Sequence, residues 1–281
     1  MKLINQSVEY LPQPEGIIGI YQQIERAARI CYKSENKITD DSAKKMVDGL
    51  IRAGHNAMLE HGTVYLKATF KGNSHHLGKY LLNKYSNLYA IHHDNVDNTL
   101  STTAYVTTNY RVLVENNWVD DIQMHWCEPL SIHKRRYTFR IVTSIGIVRE
   151  LLRHRVFSFA NESTRYCNYS KDKFDNEITC VAPKWLDINN DEYSYEAFVD
   201  ACRDAEGYYF ALLKKGLSPQ QAREVLPLCA KSELIMTGFE DDWRNFLDVR
   251  LDGITGKPHP DMIVLAQMIK DELDKIRNNE S

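Results

Sequence analysis

An α+β domain, with helices flanking a mixed β-sheet, is the fold class that this 281-residue sequence predicts. Three observations carry the prediction. Apolar residues recur at helical spacing in 17–32 and again in 261–277. The segments TVYLKATF, RRYTFRIV and ELIMTGF read as strands. No internal repeat or linker-like stretch separates these elements, so a single domain over 1–281 is expected. Hydrophobic residues make up 43% and charged residues 26%, a globular balance that supplies a core without disulfides or a structural metal. The net charge of −3 gives no global attraction to nucleic acid or an anionic membrane, so any polyanion must meet a local basic cluster.

Along the chain, Ile20, Ile24, Ala27, Ala28 and Cys31 form one face of a first helix. Thr39-Asp40-Asp41 can cap a second helix running to about Ala53, with Met46, Leu50 and Ile51 inward and Gly54 at its end. TVYLKATF follows as a strand. In 71–133 the pattern is less regular: HHLGKYLLNKYS reads as helical, HHDNVDNTLSTT as polar and turn-like, and RVLVENNWVDDI as a further short helix. RRYTFRIV is a strand, after which Thr143 or Ser144 can cap a helix through GIVRELLRHRV. Residues 161–170 are polar and expected to be irregular. A helix over 195–215 turns Phe198, Ala201, Ala205, Tyr208 and Leu212 to one side and stops at Gly216. Ser218-Pro219 opens a short helix limited by Pro227. ELIMTGF, a helix over 241–249 and the helix over 261–277 complete the chain.

Six cysteines occur, Cys31, Cys127, Cys167, Cys180, Cys202 and Cys229. No CxxC pair is present and the spacing is irregular, which indicates neither a zinc ribbon nor a redox motif. They are expected mostly as small buried apolar side chains. The first residues, MKLINQSVEYLPQPEG, lack the apolar run of a signal peptide, and no stretch approaches the ~18 apolar residues of a membrane span. A cytoplasmic setting is the expectation.

The densest chemistry lies in RELLRHRVFSFANESTRY, which contains Arg149, Arg153, His154, Arg155 and Arg165. Cations at a helix C-terminus complement its dipole, worth roughly 0.3–1 kcal/mol, and that alone could explain Arg153 and Arg155. The alternative is ligand binding. Guanidinium groups are permanently charged, planar and forked, which suits phosphate oxygens and the electron-rich edge of a heterocycle. Asn161, Ser163 and Thr164 add short hydrogen-bonding side chains beside them. Composition goes no further than an anionic small-molecule ligand.

RHRVFSFANES matches Arg-His-Arg, seven residues, Ser, and so resembles the signature of the flavin-dependent thymidylate synthases. ERAARICY, GHNAMLEH, QAREVLPL and WRNFLDVR are similar to other blocks of that family and stand in its order over most of the chain. The resemblance implies that family's fold and the conversion of dUMP to dTMP. FAD is the implied cofactor, NADPH the hydride source and methylenetetrahydrofolate the carbon donor. It also implies a homotetramer with shared active sites. Carried over by position, His55, Ala57, Arg153, His154, Arg155, Asn161 and Asn245 would contact the flavin. Glu150, Arg153, Asn161, Ser163, Thr164, Arg165, Arg223 and Arg250 would contact the nucleotide. Arg250 matches the arginine that favours ionisation at uracil N3, and Asn245 is expected on the same helix face.

The chain departs from the family pattern in three places. Asn161 stands where a Glu ligand is common, with Glu162 beside it. Phe239-Glu240-Asp241 replaces an Asn-x-Arg that contacts the adenine half of FAD. Residues 71–133 lengthen the chain as a family-variable insertion. A second reading uses His55, Glu60 and His61 as metal ligands beside His75-His76 or His92-His93. The run is not HExxH, and no Cys or Asp cluster completes it. A third reading, an RNA binder, lacks the overall basic charge and aromatic interleaving of such a surface.

Overall fold

Two strands open the chain in the computed structural model, which describes residues 1–71, 76–94 and 100–280. They are β1 (Lys2–Ile4) and β2 (Ser7–Tyr10), in a segment where the sequence pattern indicated neither. Next come α1 (Gly16–Ile30), α2 (Ser42–Arg52) and β3 (Thr63–Lys71). Strands β4 (Asn87–Asp94) and β5 (Leu100–Asn109) are followed by the short helices α3 (Tyr110–Glu115) and α4 (Asp120–His125). Then come β6 (Arg136–Ser144), α5 (Ile145–Leu151), β7 (Ser158–Asn161) and β8 (Thr179–Val181). The chain ends with α6 (Glu192–Lys214), α7 (Pro219–Ala222), β9 (Lys231–Phe239), α8 (Glu240–Arg250) and α9 (Pro260–Glu280).

The α+β class is as expected, with the strands divided among sheets. One sheet has the order β2-β6-β9-β7 and is antiparallel throughout, and a second runs β3-β5-β4. The parallel pair β1-β8 joins the first sheet through a bridge between Cys180 and Ala230, so both pairing senses occur. β9 is buried almost continuously because both its faces are covered. Leu234 and Met236 pack with Trp243, Phe246, Leu265 and Ile269 of α8 and α9, whereas Ile235 packs with Ala27 and Ile30 of α1. Nearer its N-terminus, α1 packs through Ile20 and Ile24 on Val64, Leu66 and Val106 of the second sheet. Helix α1 therefore couples the two sheets, and Glu25 anchors it. That buried carboxylate accepts from Arg29 at 2.6 Å and from Ser42 Oγ at 2.8 Å, fixing α2 against α1.

Several local expectations are corrected. Of residues 92–103, read as turn-like, 92–94 and 100–103 lie in β4 and β5, where His92 pairs with Thr102 and His93 with Ser101, while 95–99 lie outside the described residues. Cross-strand contacts of threonine outweigh the polarity of the run. Within 75–86 the described helical turn is limited to Gly78–Leu82, because the Asn83 side chain accepts from the Tyr85 N–H at 2.9 Å and closes an Asx turn. The helix expected over 111–122 is two helices, broken at Asn117 with φ 58°. On α2 the fully buried residues are Ala43 and Val47, with Met46, Leu50 and Ile51 half-buried. On α6 they are Val199, Cys202 and Tyr209, while Ala201 and Tyr208 are exposed. Among the described residues, no helix is long and apolar enough to cross a membrane.

Candidate functional site

The arginine-rich segment leaves the four-stranded sheet at β6 and enters α5, where Ser144 Oγ accepts from the Ile147 N–H at 3.2 Å, the cap expected from sequence. The helix is shorter than expected. It ends at Leu151, once Ile147, Val148 and Leu151 have reached the core, and residues 152–157 turn back toward β7. This turn is held by backbone bonds from His154 N–H to Leu151 O and from Phe157 N–H to His154 O, at 3.0 and 3.1 Å. Phe157 is buried against Trp243, 4.5 Å between ring centroids, and His154 packs on Phe246 at 5.0 Å. Those two anchors leave Arg153 and Arg155 exposed. Gly238 on β9 makes room for the turn, since a Cβ there would lie 2.4 Å from Phe157 Cδ1.

Arg250, the last residue of α8, reaches across to the end of α5. Its Nη1 donates to Glu150 Oε2 at 3.0 Å, its Nη2 to the Glu150 carbonyl at 3.1 Å, and its Nε to His154 Nε2 at 2.8 Å. The carbonyl is one of the last four of α5 and also accepts from the Arg153 N–H at 3.3 Å, so the cation meets the negative end of the α5 dipole. Because Nε2 accepts, His154 is the neutral tautomer with its proton on Nδ1. Burial and the adjacent Arg250 charge lower its pKa from 6.5 to about 4. Glu150, expected as a nucleotide ligand, is thus also the counter-ion of Arg250. Asn245 does not share Arg250's face: five residues of α-helix turn through about 140° beyond a full circle, and Asn245 is exposed.

A second cluster forms where β7 ends. The Ser163 N–H donates to the Cys31 carbonyl at 3.1 Å. Thr164 Oγ1 accepts from Arg223 at 3.4 Å, and Arg165 Nε donates to Gln220 at 2.7 Å while its guanidinium lies over Tyr166. Tyr166 in turn packs on Tyr32, 5.3 Å between centroids. Asn161 accepts from Ser232 Oγ at 2.9 Å. Glu162 points inward, buried, and pairs with Lys231 at 2.7 Å. Beside it Glu233, also buried, pairs with Lys33 and with Arg140 at 2.5 Å, and its carbonyl accepts the Glu162 N–H at 2.7 Å. This ionic network fixes the entry to the Ser163 loop. Sequence reasoning missed it because its members come from four separate segments, and the one available signal was the charge of Lys231 and Glu233 beside the apolar run Leu234–Met236.

His55 and Ala57 line a cavity of about 530 Å³ walled by Cys31, Tyr32, Met46 and Leu50. Through Cys31 and Tyr32 it adjoins the Ser163 loop. The metal reading of this segment is not supported, because its side chains diverge. His55 is exposed, Glu60 pairs with Arg111 at 2.6 Å, and His61 is fully buried with Nδ1 on Thr237 Oγ1 at 2.8 Å. His92 bonds to Thr102, and His76 packs on Phe70. His75 lies outside the described residues. Arg155 lines another groove of about 500 Å³, together with Phe239 and Asp242 and with Lys84 and Tyr85 from the 71–133 segment.

The sequence profile of the family described as Thymidylate synthase complementing protein matches residues 131–277, just over half of the chain. The flavin-dependent thymidylate synthase of Synechocystis sp. is 28% identical over 144 residues, covering 47% of this chain and 64% of that protein. That of Corynebacterium efficiens is 32% identical over 116 residues, covering 38% and 46%. A probable flavin-dependent thymidylate synthase of Paramecium bursaria Chlorella virus 1 is 28% identical over 146 residues, covering 49% and 66%. The matches thus span about half to two thirds of these relatives' lengths. Among solved structures, the UMP/dUMP methylase PolB from Streptomyces cacaoi, bound with 5-Br dUMP, aligns with a TM-score of 0.48 and 16% identity over 98% of this chain and 93% of its own. The family profile runs from before β6 into α9 and so contains both arginine clusters: this chain belongs to the Thymidylate synthase complementing protein family.

Proposed function

We propose that the chain is a flavin-dependent thymidylate synthase. It converts dUMP to dTMP, with methylenetetrahydrofolate as carbon donor and with FAD, reduced by NADPH, as hydride source. One observation carries this reading. Arg153, Arg155 and Arg165 are exposed and have no ion-pair partner among the described residues, close in sequence to Glu150 and His154, the two partners of half-buried Arg250. Guanidinium groups that the fold leaves unneutralised suit phosphate and pyrophosphate oxygens.

The residues present fit a flavin. Arg153 and Arg155 offer cations, and the cavity at His55 and Ala57 offers apolar walls from Met46, Leu50 and Met58. In this reading His55, Ala57, Arg153, His154, Arg155, Asn161 and Asn245 hold the cofactor, which when bound supplies the hydride chemistry. Lys84 and Tyr85, in the groove beside Arg155, take the place of the Asn-x-Arg missing at Phe239-Glu240-Asp241. That gives the 71–133 insertion a part in the single catalytic domain.

Ser163, Thr164, Arg165 and Arg223 hold the nucleotide phosphate, with Arg153 shared between flavin and nucleotide. Arg250 spends three of its five N–H donors on Glu150 and His154, leaving two for the uracil edge, where charge develops at N3. Glu150 and Asn161 keep an acceptor for ribose hydroxyls. The bonds of Arg250 run to α5, whereas those of Thr164 and Arg165 run to Arg223 and Gln220. Completion of the site by further copies in a homotetramer accounts for two clusters built apart on one chain, in a cytoplasmic enzyme. The test is NADPH oxidation by the FAD-loaded protein, which dUMP should accelerate. Protein that cannot be loaded with FAD, or whose NADPH oxidation ignores dUMP, contradicts the reading.

A further inference from the structure

Away from the arginine clusters, three thiols converge that no sequence motif joins. The Sγ atoms of Cys180 on β8, Cys202 on α6 and Cys229 in the turn before β9 all lie within 4.8 Å of one another, with Cys202 and Cys229 3.4 Å apart. Cys180 and Cys202 are buried, and Cys229 is half-buried.

Backbone and buried side-chain bonds hold these three positions. The Val181 N–H donates to the Cys229 carbonyl at 2.8 Å, and Cys180 bridges Ala230, so β8 and the turn are locked together. Glu206, one turn along α6 from Cys202, accepts the Ile178 N–H at 2.8 Å and ties the helix to the start of β8. The thiols are therefore carried by a rigid frame. Around a tetrahedral zinc ion, with Zn–S of about 2.3 Å, thiolate sulfurs stand about 3.8 Å apart. The observed separations, from 3.4 Å to at most 4.8 Å, bracket that edge. A disulfide would use two of the sulfurs and leave the convergence of the third unexplained.

We propose that Cys180, Cys202 and Cys229 bind one thiophilic d¹⁰ cation of the zinc class, independently of the flavin and nucleotide chemistry. Cys229 lines a cavity of about 510 Å³ whose walls also include His259, Asp261 and Glu150. That cavity is the entry path, and water from it completes the coordination. An ion here clamps α6, β8 and the start of β9 as a structural staple.

The test uses full-length protein reduced with a phosphine, then exposed to Zn²⁺ or Co²⁺ and freed of unbound ion. One Zn²⁺ per chain should remain. The Co²⁺ form should show the intense visible bands of tetrahedral thiolate coordination. Cys202→Ser and Cys229→Ala should each cut retained metal at least about tenfold, whereas Cys127→Ala should retain it fully. Should a variant fail to fold, alkylation of the wild type decides the matter: Zn²⁺ should protect these three cysteines, mapped by peptide mass, while Cys127 still reacts. Absence of retained metal in the reduced protein, equal retention in the Cys202 and Cys229 variants, or alkylation of the three thiols at unchanged rate overturns the proposal.

Discussion

Removing Arg250 is the perturbation whose consequences the structure defines most closely. Arg250→Ala deletes two bonds to Glu150 and one to His154. The Arg250 side chain is 14% exposed and that of Glu150 26%, so the abandoned carboxylate is partly rehydrated. The stability cost is therefore about 1–2 kcal/mol, below the 3–5 kcal/mol of a fully buried broken pair. The imidazole registers the change independently. Desolvation is the larger cause of the depressed His154 pKa and persists in the variant, whereas the Arg250 charge is removed. The pKa should therefore rise by about one pH unit.

In the wild type the sign is fixed by a folded pKa of about 4, below the ordinary 6.5. The stabilising contribution of neutral His154 is fully present above pH 6.5 and is lost as pH falls toward 4. Its ceiling is about 3 kcal/mol, reduced to about 2 by partial exposure. NMR titration of the imidazole, with thermal unfolding measured across the same pH range, reads both effects. An unchanged His154 pKa in Arg250→Ala would show that the Nε–Nε2 bond does not exist in solution. For the proposed activity, the variant should lose about 10²–10³-fold in turnover, the scale for removing one charge-stabilising donor, yet retain flavin. Equal loss of both, or of neither, contradicts the role assigned to Arg250.

Other positions give independent checks. Gly238→Ala drives a methyl into the Phe157 ring, 2.4 Å from Cδ1, and should cost about 1–3 kcal/mol in denaturant unfolding; a neutral result would mean that the 152–157 turn moves freely. Ser163→Ala should raise the Kd for dUMP by roughly tenfold, one hydrogen bond's worth, and leave measurable turnover. Complete loss of activity with normal dUMP binding would instead revive Ser163 as a nucleophile. Lys231→Met strands the buried Glu162 carboxylate, whose partner lies at 2.7 Å, and should destabilise the protein by about 3 kcal/mol in denaturant unfolding. A neutral result would argue that the Lys231–Glu162 pair does not hold the entry to the Ser163 loop.

The helices α1, α8 and α9 and the strands β3 and β6 were legible because one-sided burial writes its period into the chain, and β9 because burial on both faces leaves the short apolar run Leu234–Met236. β4 and β5 were not, since Thr102 and His92 are stabilised by partners across the sheet that composition cannot reveal. The α6 face was misjudged because alanines and tyrosines recur on more than one of its sides. In the candidate site, Arg153, Arg155, Ser163 and Arg165 were visible as a cluster of residue types. The ion pair of Arg250 with Glu150, a hundred positions away, was beyond any local pattern. So were the Lys33–Glu233–Arg140 network and the thiols, which tertiary folding alone assembles.

In the proposed reaction these residues act together on C5 of a bound uracil nucleotide. Release of tritium from C5-labelled dUMP by FAD-loaded protein, in the presence of NADPH and methylenetetrahydrofolate, is the decisive measurement. Release that depends on all three additions, with dTMP formed in equal amount and both suppressed in Arg250→Ala, is the predicted result. Flavin-loaded, folded protein that binds dUMP but neither releases tritium nor forms dTMP would contradict it.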